Sequence, residues 1–395
     1  MNQKTASAPA AENKMGTMPI GRLLFNMSLP MMVSMLVQAL YNIVDSIFVA
    51  KLSENALTAV SLAFPLQMLL IAVATGTGVG MNALLSRALG AKKTDEANKI
   101  ASNAAFLYII SYIVFLILGF TVVKPFYASQ IGNADVEIME MGIDYLSTVM
   151  IFSMGLLAQI CFERLLTSTG RTIFSMTSQL CGAITNIILD PILIFGLIGF
   201  PKMGVTGAAV ATVIGQCVGA LVSFTCNHKF NPDVRLQFRG FRPDCQCIQR
   251  ITVLGIASFV MSFTDTLVQV ACNATLRNFG GDLYISVMTV LNSVRQIAQT
   301  PVLAIADGAS TAISYNYGAR LYRRTRDAIR FMTQIAIGYT MLVWILVSLF
   351  PALFIRIFNQ DAELVAAAVP ALHIYFFGFV MMAFQYSGQS TFRAL

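Results

Sequence analysis

The sequence predicts an all-α, polytopic membrane protein made of two pseudo-symmetric helical lobes, six helices in the first and four in the second. Three observations carry that prediction: an apolar composition poor in charge, a series of apolar runs long enough to span a bilayer, and an internal repeat. Of 395 residues, 56% are apolar and 11% charged, and the mean hydropathy is +0.71. Soluble domains carry about 25% charged residues. A soluble enzyme, a disordered chain and a disulfide scaffold are therefore excluded. The net charge of +7 does not point to nucleic acid, because the basic residues sit in short loops between apolar runs and form no folded basic face. The seven cysteines are an odd set and several fall inside apolar runs, which suits buried small hydrophobes.

A hydrocarbon core about 30 Å thick needs about 20 apolar residues per helix. That ruler gives spans near 25–49, 57–84, 100–123, 142–163, 173–198, 204–226, 250–276, 284–312, 331–355 and 366–391. Residues 1–20 are polar and are expected to be a disordered cytoplasmic tail. The first apolar run is already of span length, which argues against a cleaved signal peptide. Twenty of the 26 Lys and Arg residues lie on the same side as the N-terminus, five lie opposite, and Arg295 lies within a span. The positive-inside rule then predicts a cytoplasmic N-terminus in a multi-pass plasma (inner) membrane protein, with the bilayer as its partner and a monomer as its expected state.

The longest polar stretch, 227–249, divides the chain into a lobe at 21–227, a cytoplasmic connection at 228–249 and a second lobe at 250–395. Gly80, Ser86, Gly90 and Ala91 recur at one constant offset as Gly308, Ser314, Gly318 and Ala319. Gln159 and Glu163 recur at nearly the same offset as Gln385 and Gln389. Parallel repeats related by an axis along the membrane normal are typical of transporters that handle substrate between their halves. The second copy stops at Leu395, so counterparts of spans five and six are lacking. Truncation is the expectation, and a ten-span variant is the alternative.

Ionisable groups inside a bilayer are costly and mark function by default. Span one carries Gln38, Asn42 and Asp45 at spacings of four and three, on one helical face. Span five carries Asn186 and Asp190 four apart, with Pro191 behind them to free a carbonyl and kink the helix. Carboxylates, an amide and a loosened helix make an oxygen-rich site for Na⁺ or for an exchanging proton. Glu163, beside Arg164, belongs either to such a site or to an interfacial charge pair. Its counterpart Gln389 is neutral, as is Asn273, the counterpart of Asp45 in the Gly80–Gly308 register. The ion site is therefore expected in the first lobe alone. In the second lobe Asp265, Arg295 and Asp307 are expected to serve structural charge pairing, although Arg295 and Asp307, twelve apart on one helix, stand about 18 Å from each other and do not touch directly. GTGVG at 76–80 reads as close helix packing. Cys245 and Cys247 lack a convincing metal-ligand set.

LPMMVSMLVQALYNIVDSIFVAKL (29–52), SRALGA (86–91) and ITNIILDPILIFG (184–196) resemble the multidrug and toxic compound extrusion (MATE) transporters, bacterial multidrug-efflux type. The resemblance covers essentially everything after residue 20. It implies two six-helix lobes and secondary antiport, with drugs and organic cations exported in exchange for H⁺ or Na⁺ by alternating access, and with no cofactor and no enzymatic step. It also implies a cation site at Asp45, Asn186, Asp190 and a threonine of span six, Thr212 or alternatively Thr206, and cation or substrate handling by Glu163; Gln38 and Asn42, on the face of Asp45, are expected to border the substrate cleft. A flippase of lipid-linked oligosaccharide or lipid precursors is the alternative. It would call for several basic residues in the cleft, and here Arg295 is alone. An intramembrane enzyme would need a nucleophile–base pair or metal ligands, which His228 and His373 do not supply.

Overall fold

Polar caps at the span boundaries set where the long helices begin. The Ser53 hydroxyl accepts the Ala56 N–H (3.0 Å) and the Asp244 carboxylate accepts that of Gln246 (2.9 Å). Asp361 likewise accepts the N–H of Glu363 (3.0 Å). Each satisfies a donor left over at a helix start. The computed structural model describes residues 13–131, 136–236, 241–358 and 360–395; at 131, 262, 265–266, 269–270, 273–274, 277–282 and 285 it describes the backbone alone. Asp265 and Asn273 thus lie outside the described side chains.

In order the helices are α1 (Lys14–Thr17), α2 (Ile20–Ala50), α3 (Glu54–Gly90), α4 (Thr94–Thr121), α5 (Val123–Ile131), α6 (Val136–Ile151), α7 (Met154–Ser168), α8 (Thr172–Phe195), α9 (Gly204–Phe230), α10 (Cys245–Gly318), α11 (Tyr322–Leu349), α12 (Pro351–Arg356), α13 (Ala362–Phe376) and α14 (Met381–Ala394). There is no strand among the described residues. Six of these, α2, α3, α4, α8, α9 and α11, are long and apolar enough to cross a bilayer. The pairs α6–α7 and α13–α14, bent by 43° and 47°, each fill one predicted span.

The remaining two spans both fall in α10. A straight helix of 74 residues would be about 110 Å long. Arg393 nevertheless hydrogen-bonds Ser258 (3.3 Å) and also lies 4.0 Å from Asp307. The α10 segment therefore turns back on itself between those two residues. Both arms pack along α3.

The internal repeat is written into the contacts. The Ser86 hydroxyl donates to the Ser168 carbonyl, and its counterpart Ser314 donates to that of Ala394, both at 3.0 Å. Lys92 and Arg320, related by the same offset, both adopt left-handed backbone (φ 58° and 59°) in the turn after a long helix. At the seam the relation is reciprocal. A Cβ on Gly90 would stand 1.9 Å from the Tyr315 carbonyl oxygen, and one on Gly318 would stand 2.0 Å from that of Arg87. Only glycine lets these backbones touch. The expected close packing at GTGVG is also present, since a Cβ on Gly80 would meet the Ile251 carbonyl at 2.2 Å.

Each lobe's first helix starts against the other lobe. Leu23, Leu24 and Met27 of α2 share a core with Ala309, Ile313 and Met332. Cys247 and Ile251 of α10 share one with Met81, Leu85 and Ile100. The first helix of each lobe is thus laced into the other lobe at this end. The disordered tail expected for 1–20 also needs correction over its described part. Residues 14–17 form a helical turn, and Met15 is fully buried. The Asn316 amide donates to the Met15 carbonyl (3.0 Å) and Arg324 donates to that of Met18 (2.7 Å). Sequence polarity did not register that one methionine and two free carbonyls suffice to anchor the segment.

Candidate functional site

Three helices of the first lobe build the polar interior. α8 carries Asn186 and Asp190 one turn apart, and the Asn186 amide donates both to Asp190 (3.3 Å) and to the Thr212 hydroxyl of α9 (3.4 Å). Among the described residues it is Thr212, not Thr206, that bonds this amide. α9 can approach because Gly182 and Gly215 let the two helices touch, a Cβ on either lying within 3 Å of the other's carbonyl. Asp190 is fully buried and Asn186 is 3% exposed. Asp45 comes from α2, which packs on α8, and its carboxylate lies within electrostatic range of Asp190. Asp45 Oδ1, Asn186 Oδ1 and Asp190 Oδ2 are all buried with no hydrogen-bond donor. A buried acceptor left unpaired costs about 1–3 kcal/mol, and among the described residues none of these three oxygens meets a donor.

Next to this cluster is a cavity of about 80 Å³, lined by Gln38 and Tyr41 of α2, Gln159 of α7, Gln179 and Asn186 of α8, and Thr212 of α9. Glu163 stands beside it. One of its oxygens accepts from Gln159 (2.9 Å) and Ser178 (3.1 Å), and the Gln179 amide lies 3.0–3.2 Å from both of its oxygens. Glu163 does not pair with the adjacent Arg164, since Arg164 reaches across to Asp307 of the second lobe (3.7 Å). Successive helical residues point about 100° apart, and here that sends the two charges to different partners.

Asn42 is exposed and does not line this cavity, whereas Gln38 does. Tyr41 takes the inward place, three residues after Gln38 and four before Asp45. That spacing was legible, but a tyrosine in an apolar run reads as packing. Gln179, seven residues before Asn186 and therefore on its face, carries the same spacing signal and also lines the cavity. Asp307 pairs with Arg164 (3.7 Å) and Arg393 (4.0 Å). It does not meet Arg295, in keeping with their spacing of twelve residues, about 18 Å along the helix.

The comparisons agree with this architecture. The MatE family model matches residues 30–192 and 257–395. The chain is 25% identical over 350 residues to a FAD transporter of Shewanella oneidensis, covering 87% of this chain and 76% of that protein. It is 26% identical over 361 residues to the multidrug export protein MepA of Staphylococcus aureus, covering 90% and 77%. A solved structure described as the outward-facing conformation of a multidrug resistance MATE family transporter superposes with a TM-score of 0.90 at 24% identity, covering 98% of this chain and 85% of that one. A MOP superfamily transporter from Pyrococcus furiosus gives 0.88 over the same shares. With its helical lobes, its paired internal repeat and a family match over both halves, the chain belongs to the MatE family of multi-pass membrane transporters.

Proposed function

We propose that the protein is a secondary active antiporter that exports drugs and organic cations in exchange for H⁺ or Na⁺ by alternating access of its two lobes. The observation that carries this reading is the set of three buried, donor-free oxygens at Asp45, Asn186 and Asp190. Thr212 completes the coupling site through its bond to Asn186, while Gln38 and Glu163 border the adjoining cavity. Oxygen-only ligands suit a hard cation or a proton. A coupling ion can move the lobes only by binding one conformation more tightly than the other.

The reciprocal Gly90–Gly318 contact lies beside the basic loops carrying Lys92, Lys93, Arg320 and Arg323. By the positive-inside rule that end is cytoplasmic, so the described conformation is closed toward the cytoplasm. Opening to the cytoplasm would part this seam and admit substrate. Ion entry at Asp45 and Asp190 from outside would then favour reclosure and release. The protein acts as a monomer in the plasma (inner) membrane.

The test is efflux of ethidium from vesicles holding this chain under an imposed Na⁺ or H⁺ gradient. Efflux that follows one gradient in the wild type and is lost in Asp190→Asn is the expected result. Gradient-driven efflux undiminished by Asp190→Asn would overturn the coupling assignment.

A further inference from the structure

The second lobe holds a polar group that the proposed antiport cycle does not use. Arg295 of α10 borders a cavity of about 230 Å³ whose other walls are Tyr375, Phe376, Gly378, Phe379 and Met382. The wall lies at the break between α13 and α14, where the chain bends by 47°. Discontinuous helices at mid-membrane depth commonly frame transporter binding sites.

Among the described residues the guanidinium has no ion-pair partner. Its Nε is buried without an acceptor, and its one side-chain hydrogen bond, to Gln299, is long at 3.5 Å. The Gln299 amide is itself directed to the Tyr386 hydroxyl, and Asp307 is occupied by Arg164 and Arg393. The Tyr375 hydroxyl is held by Asn292 (2.7 Å), leaving its ring face 6.0 Å from the guanidinium. Phe376 and Phe379 stack beside it with centroids 4.9 Å apart. The counterpart of Arg295 in the first lobe is the neutral Gln67, which donates to Tyr145 (3.2 Å). The charge is therefore a feature of the second lobe alone.

An intramembrane arginine with no counter-ion among the described residues is expensive and marks a ligand pathway. Its planar fork matches a carboxylate through two parallel hydrogen bonds. Flat aromatic walls favour a flat ring. We propose that Arg295, Tyr375, Phe376 and Phe379 form a second-lobe subsite for planar aromatic carboxylates of one or two rings, separate from the first-lobe cation site. This inference rests on the transporter reading above and extends its cargo to molecules with an anionic end.

The test uses the full chain in nanodiscs, with binding of 7-hydroxycoumarin-3-carboxylate compared with 7-hydroxycoumarin by fluorescence polarisation at pH 6. The wild type should prefer the carboxylate by about tenfold or more, as a lost charge-assisted bidentate contact would imply. Arg295→Gln should erase that preference and Arg295→Lys should keep part of it, with ethidium binding unchanged in both. Equal binding of the two coumarins by the wild type would overturn the proposal. So would a parallel loss of carboxylate and ethidium binding in Arg295→Gln, which would make the arginine structural. Gradient-driven ethidium efflux, measured alongside, reports on the antiport reading independently, so failure of one can be told from failure of the other.

Discussion

In the first lobe, α2, α8 and α9 gather Asp45, Asn186, Asp190 and Thr212 around unpaired oxygens. In the second lobe, α10 and α13 set Arg295 against Tyr375. Where the lobes meet, by contrast, the two copies still match position for position. Gly90 and Gly318 exchange the same backbone contact, Ser86 and Ser314 make the same bond, and Lys92 and Arg320 share the same turn. The repeat has been kept where backbone touches backbone, because no side chain but hydrogen fits there. It has been lost where side chains face a cavity, because each substitution there changes what the cavity can hold and leaves the packing intact.

The largest expected effect tests the matching half of that comparison. Gly90→Ala and Gly318→Ala should each destabilise the closed seam by about 3 kcal/mol, since backbone cannot yield to a Cβ this close. Spin-label distances across α3 and α10 should show the closed state depleted, and by the same amount in both variants. Unequal effects would mean that the two copies no longer carry the seam equally.

Next come the diverged interiors. Asp190→Asn should reduce ion-coupled efflux about 10- to 100-fold, the usual range of coupling between sites. Glu163→Gln copies the second lobe's Gln389 into the first. It should cost less than Asp190→Asn, because an amide can still accept from Gln159 and Ser178. Initial efflux rates at several pH values would rank the two, and the reverse order would move the coupling role to Glu163.

A smaller effect is expected at the seam's ion cluster. Asp307→Asn leaves Arg164 and Arg393 facing each other without their shared carboxylate. The distances of 3.7 and 4.0 Å are long, so about 1 kcal/mol of the closed state is at stake. The same spin-label distances would register it, more clearly at low salt.

The smallest concerns the surface pair Lys99–Asp244 at the inter-lobe connection. The hydrogen bond from Lys99 holds the Asp244 carboxyl below its ordinary 3.8 and lifts the lysine above 10.5. Asp244 thus contributes stability above the ordinary carboxylate range, and this is lost as pH falls through its lowered value. Lys99 contributes below the ordinary lysine range, and this is lost as pH rises through its raised value. Both groups are solvated, so Lys99→Ala should leave the melting temperature at neutral pH almost unchanged. A marked drop would show the connection to be a structural clamp.

Much of the architecture was legible in the chain. Apolar run length placed the spans, because a bilayer offers unpaired backbone no alternative to a helix. A constant offset exposed the repeat, and three segments, 29–52, 86–91 and 184–196, exposed the family. Helical spacing also placed Asn186 by Asp190, since residues four apart share a face. Spacing within one helix cannot say how a helix is rotated against its neighbours. Only the tertiary structure therefore turned Tyr41 inward and Asn42 outward. It alone split Glu163 from Arg164 and sent Asp307 across the seam to Arg164. It also anchored Met15 in a pocket formed by residues from the far end of the chain. Periodicity and composition act along the chain, whereas these partners are chosen by which faces meet when the helices pack.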